Sequence, residues 1–230
     1  MAYYDNVNTT LLELVSPSAR RILEVGCGAG ALARAVKTKL PSVHYSGIEL
    51  VAEQLVLAAD VLDFGLVRNL DQMGEWSQDV ELKQAIPPGS LDHVIFGDVL
   101  EHLYDPQAVL TQAATRLAPN GTALVCIPNV QHWSVFVQLV SGSWPQTDAG
   151  LFDKTHIRWF TLTDMVRLVE AAGLTVERIE ERIFAPEVGL PFLEDLEALA
   201  HTVGVDPNLV IQRGLPLQYV LVGRNSLLPS

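Results

Sequence analysis

The sequence has no run of the roughly 18 to 20 apolar residues that a membrane-crossing helix needs. Its opening, MAYYDNVNTT, lacks both the basic and the apolar segments of an export signal, so a cytoplasmic location is expected. Basic residues are scarce: 15 Lys and Arg stand against 27 Asp and Glu, a net charge of -12. A surface that tracks nucleic-acid phosphates needs Lys and Arg to displace counterions, so this balance argues against a nucleic-acid partner. There are only two cysteines, Cys27 and Cys126, with neither a disulfide framework nor a metal-ligand spacing, so reduced thiols and no metal site are expected. Internal repeats and low-complexity stretches are absent too, which removes solenoids and disordered arrays.

What is present is a chain of 230 residues, suited to a single α/β domain over 1–230 as a monomer or homodimer. Short Val-, Ile- and Leu-rich runs alternate with helical patterns, the signature of βαβ units. Strands are predicted over 21–25, 43–50, 65–68, 91–100, 121–128, 174–184 and 215–223. Helices are predicted at 30–39, from VAEQLVLAADVL, at 106–119 and at 161–173, with a leading helix opened by a Thr10–Glu13 capping box. Two segments break the rhythm. Residues 129–160 follow a strand, where α/β sheets place substrate-facing loops. Residues 185–214 look like an insertion before the last strand.

The stretch ILEVGCGAG runs a strand into Gly26, Gly28 and Gly30, a loop that lets backbone approach a ligand beside a helix N-terminus. A dinucleotide fingerprint wants its third glycine or alanine one residue later, which Ala31 nominally supplies. Glu24, two residues before the first glycine, would repel a pyrophosphate but suits a ligand carrying an ammonium group. S-adenosylmethionine is such a ligand. Glu49, closing the second strand, can accept hydrogen bonds from both ribose hydroxyls, a geometry that NAD and S-adenosylmethionine share.

The phrases LEVGCGAG, GIEL, LDHVIFGDVLEHLYDPQAVL, GTALVCIPNVQHWS and DKTHIRWFTLTDMVRLVEAAGLTVERI occur in the order seen in class I S-adenosylmethionine-dependent methyltransferases, which residues 10–184 resemble. The chain is similar to the ubiquinone-biosynthesis O-methyltransferase branch and to bacterial polysaccharide-pathway methyltransferases, alone or fused to glycosyltransferases. The resemblance implies an α/β, Rossmann-like seven-stranded sheet, order 3-2-1-4-5-7-6 with strand 7 antiparallel and helices on both faces. It implies that Gly26, Cys27, Gly28 and Gly30 pass under the methionine part of S-adenosyl-L-methionine, with Glu24 near its amino group. Glu49 would hold the ribose, Leu50 would pack on the adenine, and Asn69 and Leu70 would lie at its edge, with Asn69 where relatives carry an acid. Asp98 and Val99 would lie beside the methionine.

Methyl transfer to a hydroxyl benefits from a base, because the oxygen is poorly ionised at neutral pH. Of the six histidines, His44, His93 and His201 fall in strands or a solvated helix, whereas His102, His132 and His156 follow strands 4 and 5 or lie in the substrate-facing segment. His156 ranks first as base, with Asp153 to orient it; His102 ranks second and His132 third. Arg158 is expected to hold an anionic substrate group, and Trp133 and Trp159, with Trp144, Phe152 and Phe160, to stack on a sugar or ring or to pack as a lid. The leading expectation is O-methylation of a small-molecule or sugar-linked hydroxyl. N- or C-methylation of a metabolite, a non-catalytic cofactor-binding partner, and an NAD-dependent oxidoreductase are the rivals.

Overall fold

The computed structural model describes residues 7–225, so MAYYDN, part of the export-signal reading, lies outside the described residues. Seven strands, β1 (Arg21–Val25), β2 (His44–Glu49), β3 (Phe64–Val67), β4 (Leu91–Gly97), β5 (Leu117–Pro128), β6 (Leu174–Ile183) and β7 (Pro216–Asn225), build one sheet. Their order is β3-β2-β1-β4-β5-β7-β6. β1 to β5 pair in parallel, and β7 runs antiparallel to both β5 and β6, as the resemblance implies.

Period-two patterning explains why this sheet is covered on both faces. Neighbouring residues alternate between two apolar clusters: Leu23, Val94, Ala123 and Leu221 face one, while Ile22, Ile95, Leu124 and Val220 face the other. Helices α1 (Thr9–Leu14), α2 (Ala31–Lys39), α3 (Ala52–Ala58), α4 (Val80–Ala85), α5 (Pro106–Ala114), α6 (Trp133–Val140), α7 (Leu162–Ala171), α8 (Pro186–Asp195), α9 (Glu197–Thr202) and α10 (Pro207–Gly214) complete the described chain. Among the described residues, no helix is long and apolar enough to cross a membrane.

Several local expectations are corrected. The leading helix is capped by Asn8, whose side chain accepts from Leu11 N–H; Thr10 already lies inside the helix and cannot open a capping box there. The capping box instead occurs at Thr161 and Asp164, at the start of α7. β4 stops at Gly97 rather than residue 100, because Asp98 takes a left-handed backbone with φ 57° and turns the chain into a short 3-10 turn, Leu100–His102. β5 begins at Leu117, which shortens α5 to Pro106–Ala114. The 129–160 segment contains the helix α6, and 185–214 folds into α8, α9 and α10.

These boundaries position the site. The carboxyl ends of β1, β2 and β4 converge with the ends of β6 and the start of β7 on one edge of the sheet, where open α/β sheets bind ligands.

Candidate active site

At that edge lies a cavity of about 880 Å³, within the size range of small-molecule sites. The glycine loop forms one wall. Gly26, Gly28 and Gly30 have φ of 74°, 50° and 79°, which residues with a Cβ rarely adopt. At Gly26 a Cβ would also come within 2.4 Å of Val99 Cγ2, so this crossing under the end of β4 requires glycine. Cys27 is a free, buried thiol whose pKa burial pushes up.

Glu49 ties this loop to β2. Its Oε2 accepts from Gly28 N–H at 2.8 Å and its Oε1 from Val51 N–H at 2.9 Å. An ionised carboxylate has about four acceptor positions, so two remain for vicinal hydroxyls. Glu24 is buried and accepts from the Tyr45 hydroxyl at 2.9 Å. Burial pushes its carboxyl up to about 8, against the Tyr45 bond and with nearby Glu49 adding repulsion. A buried carboxylate beside a loop of unhindered backbone suits a ligand with a cation at one end and a ribose further along. These residues therefore fit S-adenosylmethionine.

Leu50, 60% exposed, together with Asn69 and Leu70, lines the same cavity. The Asn69 side-chain oxygen, expected to accept from the adenine amino group, already accepts from Asp71 N–H at 3.1 Å. Asp98 and Val99 line it as well. Burial raises Asp98 to about 6, countered by the Arg182 charge and by bonds from Cys126 and Gln218. The Gln218 amide donates to Asp98 Oδ1 at 2.5 Å.

The histidines separate. His156 and His102 line the cavity in edge-to-face contact, with ring centroids 4.8 Å apart. His156 Nδ1 lies 3.2 Å from Leu151 O, so Nδ1 carries the hydrogen and Nε2 is the free acceptor. That Nε2 lies 3.8 Å from Glu101 Oε1, and both Glu101 oxygens are buried without a hydrogen-bond partner. Burial and then the nearby His102 lower the His156 pKa, and burial followed by repulsion from Asp98 holds Glu101 well above the usual carboxylate range. The proximity alone resembles an ion pair. The shared burial instead favours a neutral imidazole beside a protonated carboxyl.

Asp153, expected to orient His156, is corrected to a turn residue: its Oδ1 accepts from Thr155 N–H and Thr155 Oγ1 at 2.8 and 2.6 Å. The ring is held instead by Leu151 O at Nδ1, while Glu101 stands on the Nε2 side without a hydrogen bond to it. His132 is outside the cavity lining; its Nδ1 caps α6 beside Ser134, and burial lowers its pKa to about 4. Trp133, Arg158 and Trp159 are not in the cavity wall either. Trp133 packs on Gly189, Arg158 Nη2 donates to Tyr104 O at 2.5 Å, and Trp159 meets Trp144 in an aromatic cluster with Phe152. Glu101 escaped the sequence reading although it stands next to His102 in DVLEHL. A carboxylate beside a histidine just after a strand was the available signal.

Donor atoms of Glu101, His102 and His156 all lie within 4.8 Å of one another, so this trio has the donor set for a divalent cation. Glu101→Gln removes the titration of this buried acid while keeping its shape. A folded-state pKa above the unfolded value near about 4.3 contributes stability at low pH that is lost as pH rises towards the folded value. Glutamine stays neutral throughout, so the variant's Tm gain over wild type should be larger at about pH 8 than at about pH 5. Thermal melts at both pH values check this, and an equal shift at each contradicts it.

The methyltransferase-domain family matches residues 2–179. The ubiquinone biosynthesis O-methyltransferase of Xanthomonas axonopodis pv. citri (strain 306) is 33% identical over 187 residues, covering 78% of this chain and 74% of that protein. The protein of the same name from Aeromonas salmonicida (strain A449) is 27% identical over 168 residues, 73% of this chain and 68% of its own length. Among solved structures, a SAM-dependent methyltransferase from Archaeoglobus fulgidus matches with TM-score 0.59 at 15% identity, over 90% of this chain and 87% of that one. That last likeness concerns the fold alone.

Proposed function

Because the chain belongs to the methyltransferase-domain family and is an S-adenosylmethionine-dependent methyltransferase, we propose that it methylates a hydroxyl oxygen of a small-molecule or glycan-linked acceptor. The observation that carries this reading is the buried Glu101–His156 pair, with His156 Nε2 free to take a proton at the wall of the cofactor cavity. The cofactor supplies an electrophilic methyl group on a sulfonium. The chain's part is to hold the acceptor oxygen in line, exclude water and remove the hydroxyl proton. Glu49 receives the ribose hydroxyls, Glu24 receives the amino group, and Leu151 O fixes the imidazole that accepts the proton, with burial keeping that ring neutral.

The reading is tested with isotopically labelled S-adenosylmethionine and matched acceptors that differ only in offering a hydroxyl, an amine or an activated carbon. Label on oxygen is the expected product; transfer only to nitrogen or carbon overturns it. A second reading, favoured by the closeness of the Glu101, His102 and His156 donor atoms, has them share a divalent cation that polarises the hydroxyl. Turnover that survives EDTA supports the proton-acceptor reading. Turnover lost to EDTA and restored by a divalent cation supports the other.

Glu24 makes cofactor binding proton-linked. Its carboxyl, raised to about 8, is uncharged in the free protein at neutral pH, and an ammonium placed beside it draws the proton off. Affinity for S-adenosylhomocysteine should therefore rise with pH, approaching tenfold per unit between about pH 6 and 7, where the ligand's own amine stays protonated. Calorimetry in buffers of different ionisation enthalpy measures the released proton. The Glu24→Gln variant should bind more weakly and release none; equal proton release from it contradicts this role.

A further inference from the structure

Three cationic side chains line the cavity: Arg68, Lys154 and Arg182. Arg68 is bound to Asp79 and Glu81 at 2.7 and 2.6 Å, and Lys154 to Asp148 at 2.5 Å. Among the described residues, Arg182 makes no ion pair. One guanidinium nitrogen donates to the side-chain oxygen of Gln218, and the group lies 5.4 Å from the centre of the Phe184 ring. In a chain of net charge -12, a cation at a cavity wall with no direct ion pair, its charge reaching Asp98 only across Gln218, is placed to receive an anion.

Its strand is distant from the one that carries the glycine loop. β6 is four strand positions from β1 in the sheet, about 19 Å at the usual inter-strand spacing. Arg182 instead connects through Gln218 to Asp98, the residue at the end of β4. Phe184 and Leu217 add apolar surface beside it. We propose that Arg182, set by Gln218 and Phe184, binds an anionic substituent of the methyl acceptor. The substituent is a carboxylate rather than a dianionic phosphate. One guanidinium offsets one charge, and Asp98, Asp148 and Asp153 line the same cavity, so a second negative charge would be repelled. This assignment rests on the proposed hydroxyl acceptor, now specified as a hydroxy acid.

The test uses the full chain saturated with S-adenosylhomocysteine and titrated with 3,4-dihydroxybenzoate or its methyl ester, a pair differing in one charge. Wild type should bind the acid roughly tenfold or more tighter than the ester, the yield of one charge-assisted bond. Arg182→Met should bring the two within about twofold, Arg182→Lys should keep part of the preference, and both should bind S-adenosylhomocysteine as wild type does. No preference in wild type, no binding of the acid at millimolar concentration, or a preference retained in Arg182→Met overturns the assignment. So does a matching loss of S-adenosylhomocysteine affinity, which would make Arg182 a cofactor ligand. Equal methylation of acid and ester leaves the hydroxyl reading standing while removing this inference. Selective binding of the acid without methylation of either probe does the reverse.

Discussion

Replacing His156 with Ala should lower kcat by about 10² to 10⁴-fold, the usual contribution of a positioned general base. The size of the effect follows from geometry. Nδ1 is committed to Leu151 O, so Nε2 is the atom left to receive a proton, and the cavity holds it next to a carboxyl without other partners. The charged and titratable groups facing the ring are Glu101, His102 and Asp153. Burial and His102 outweigh Asp153, so the imidazole is neutral at pH 7 and ready to accept. The acid limb of the kcat profile should accordingly fall below the ordinary histidine value of about 6.5. S-adenosylhomocysteine affinity should be unchanged in His156→Ala, because the loop and Glu49 remain intact. His102→Ala should cost less, since His102 Nδ1 is already shared with Thr155 O and Thr155 Oγ1. Steady-state kinetics of both variants check this. A His156→Ala enzyme with turnover within threefold of wild type would remove the base.

Glu49→Ala should weaken S-adenosylhomocysteine binding by about a hundredfold or more, the sum of a charge-assisted ribose contact and a loosened loop. The carboxylate joins two backbone N–H groups, one from the glycine loop and one from the chain leaving β2, so its removal unpins both sides of the nucleoside pocket. Glu49→Gln retains one acceptor oxygen and should lose less, about tenfold. Calorimetry gives both values. Binding by Glu49→Ala within threefold of wild type contradicts the assignment.

What was legible in the sequence had local physical causes. The doubly covered sheet was written in pairs such as Ile22–Leu23 and Val94–Ile95, each residue facing its own apolar layer. The glycine loop and Glu49 were readable because positive φ and a strand-end acid are local requirements. The acceptor side was less legible because its directions are set at a distance. The left-handed Asp98 and the turn after it bury Glu101 beside a histidine more than fifty residues later. Ile157 and Arg158 both donate their N–H groups to the Glu101 carbonyl, which pins the DKTHIRWF stretch so that His156 lines the cavity while Arg158 and Trp159 do not. His132 is drawn away by the unsatisfied N–H groups of α6. Arg182 was hidden in a strand whose pairing shifts register between Arg182 and Ile183, so alternation alone could not place it.

The most direct measurement is the dependence of single-turnover methyl transfer on the acidity of the acceptor hydroxyl, taken across a series of phenols in wild type and His156→Ala. With His156 removing the proton, wild-type rates should change little across the series. The variant should recover steeply as the phenol becomes acidic enough to ionise unaided. Parallel dependences in the two proteins would contradict the claim that this cavity methylates a hydroxyl by taking its proton on His156.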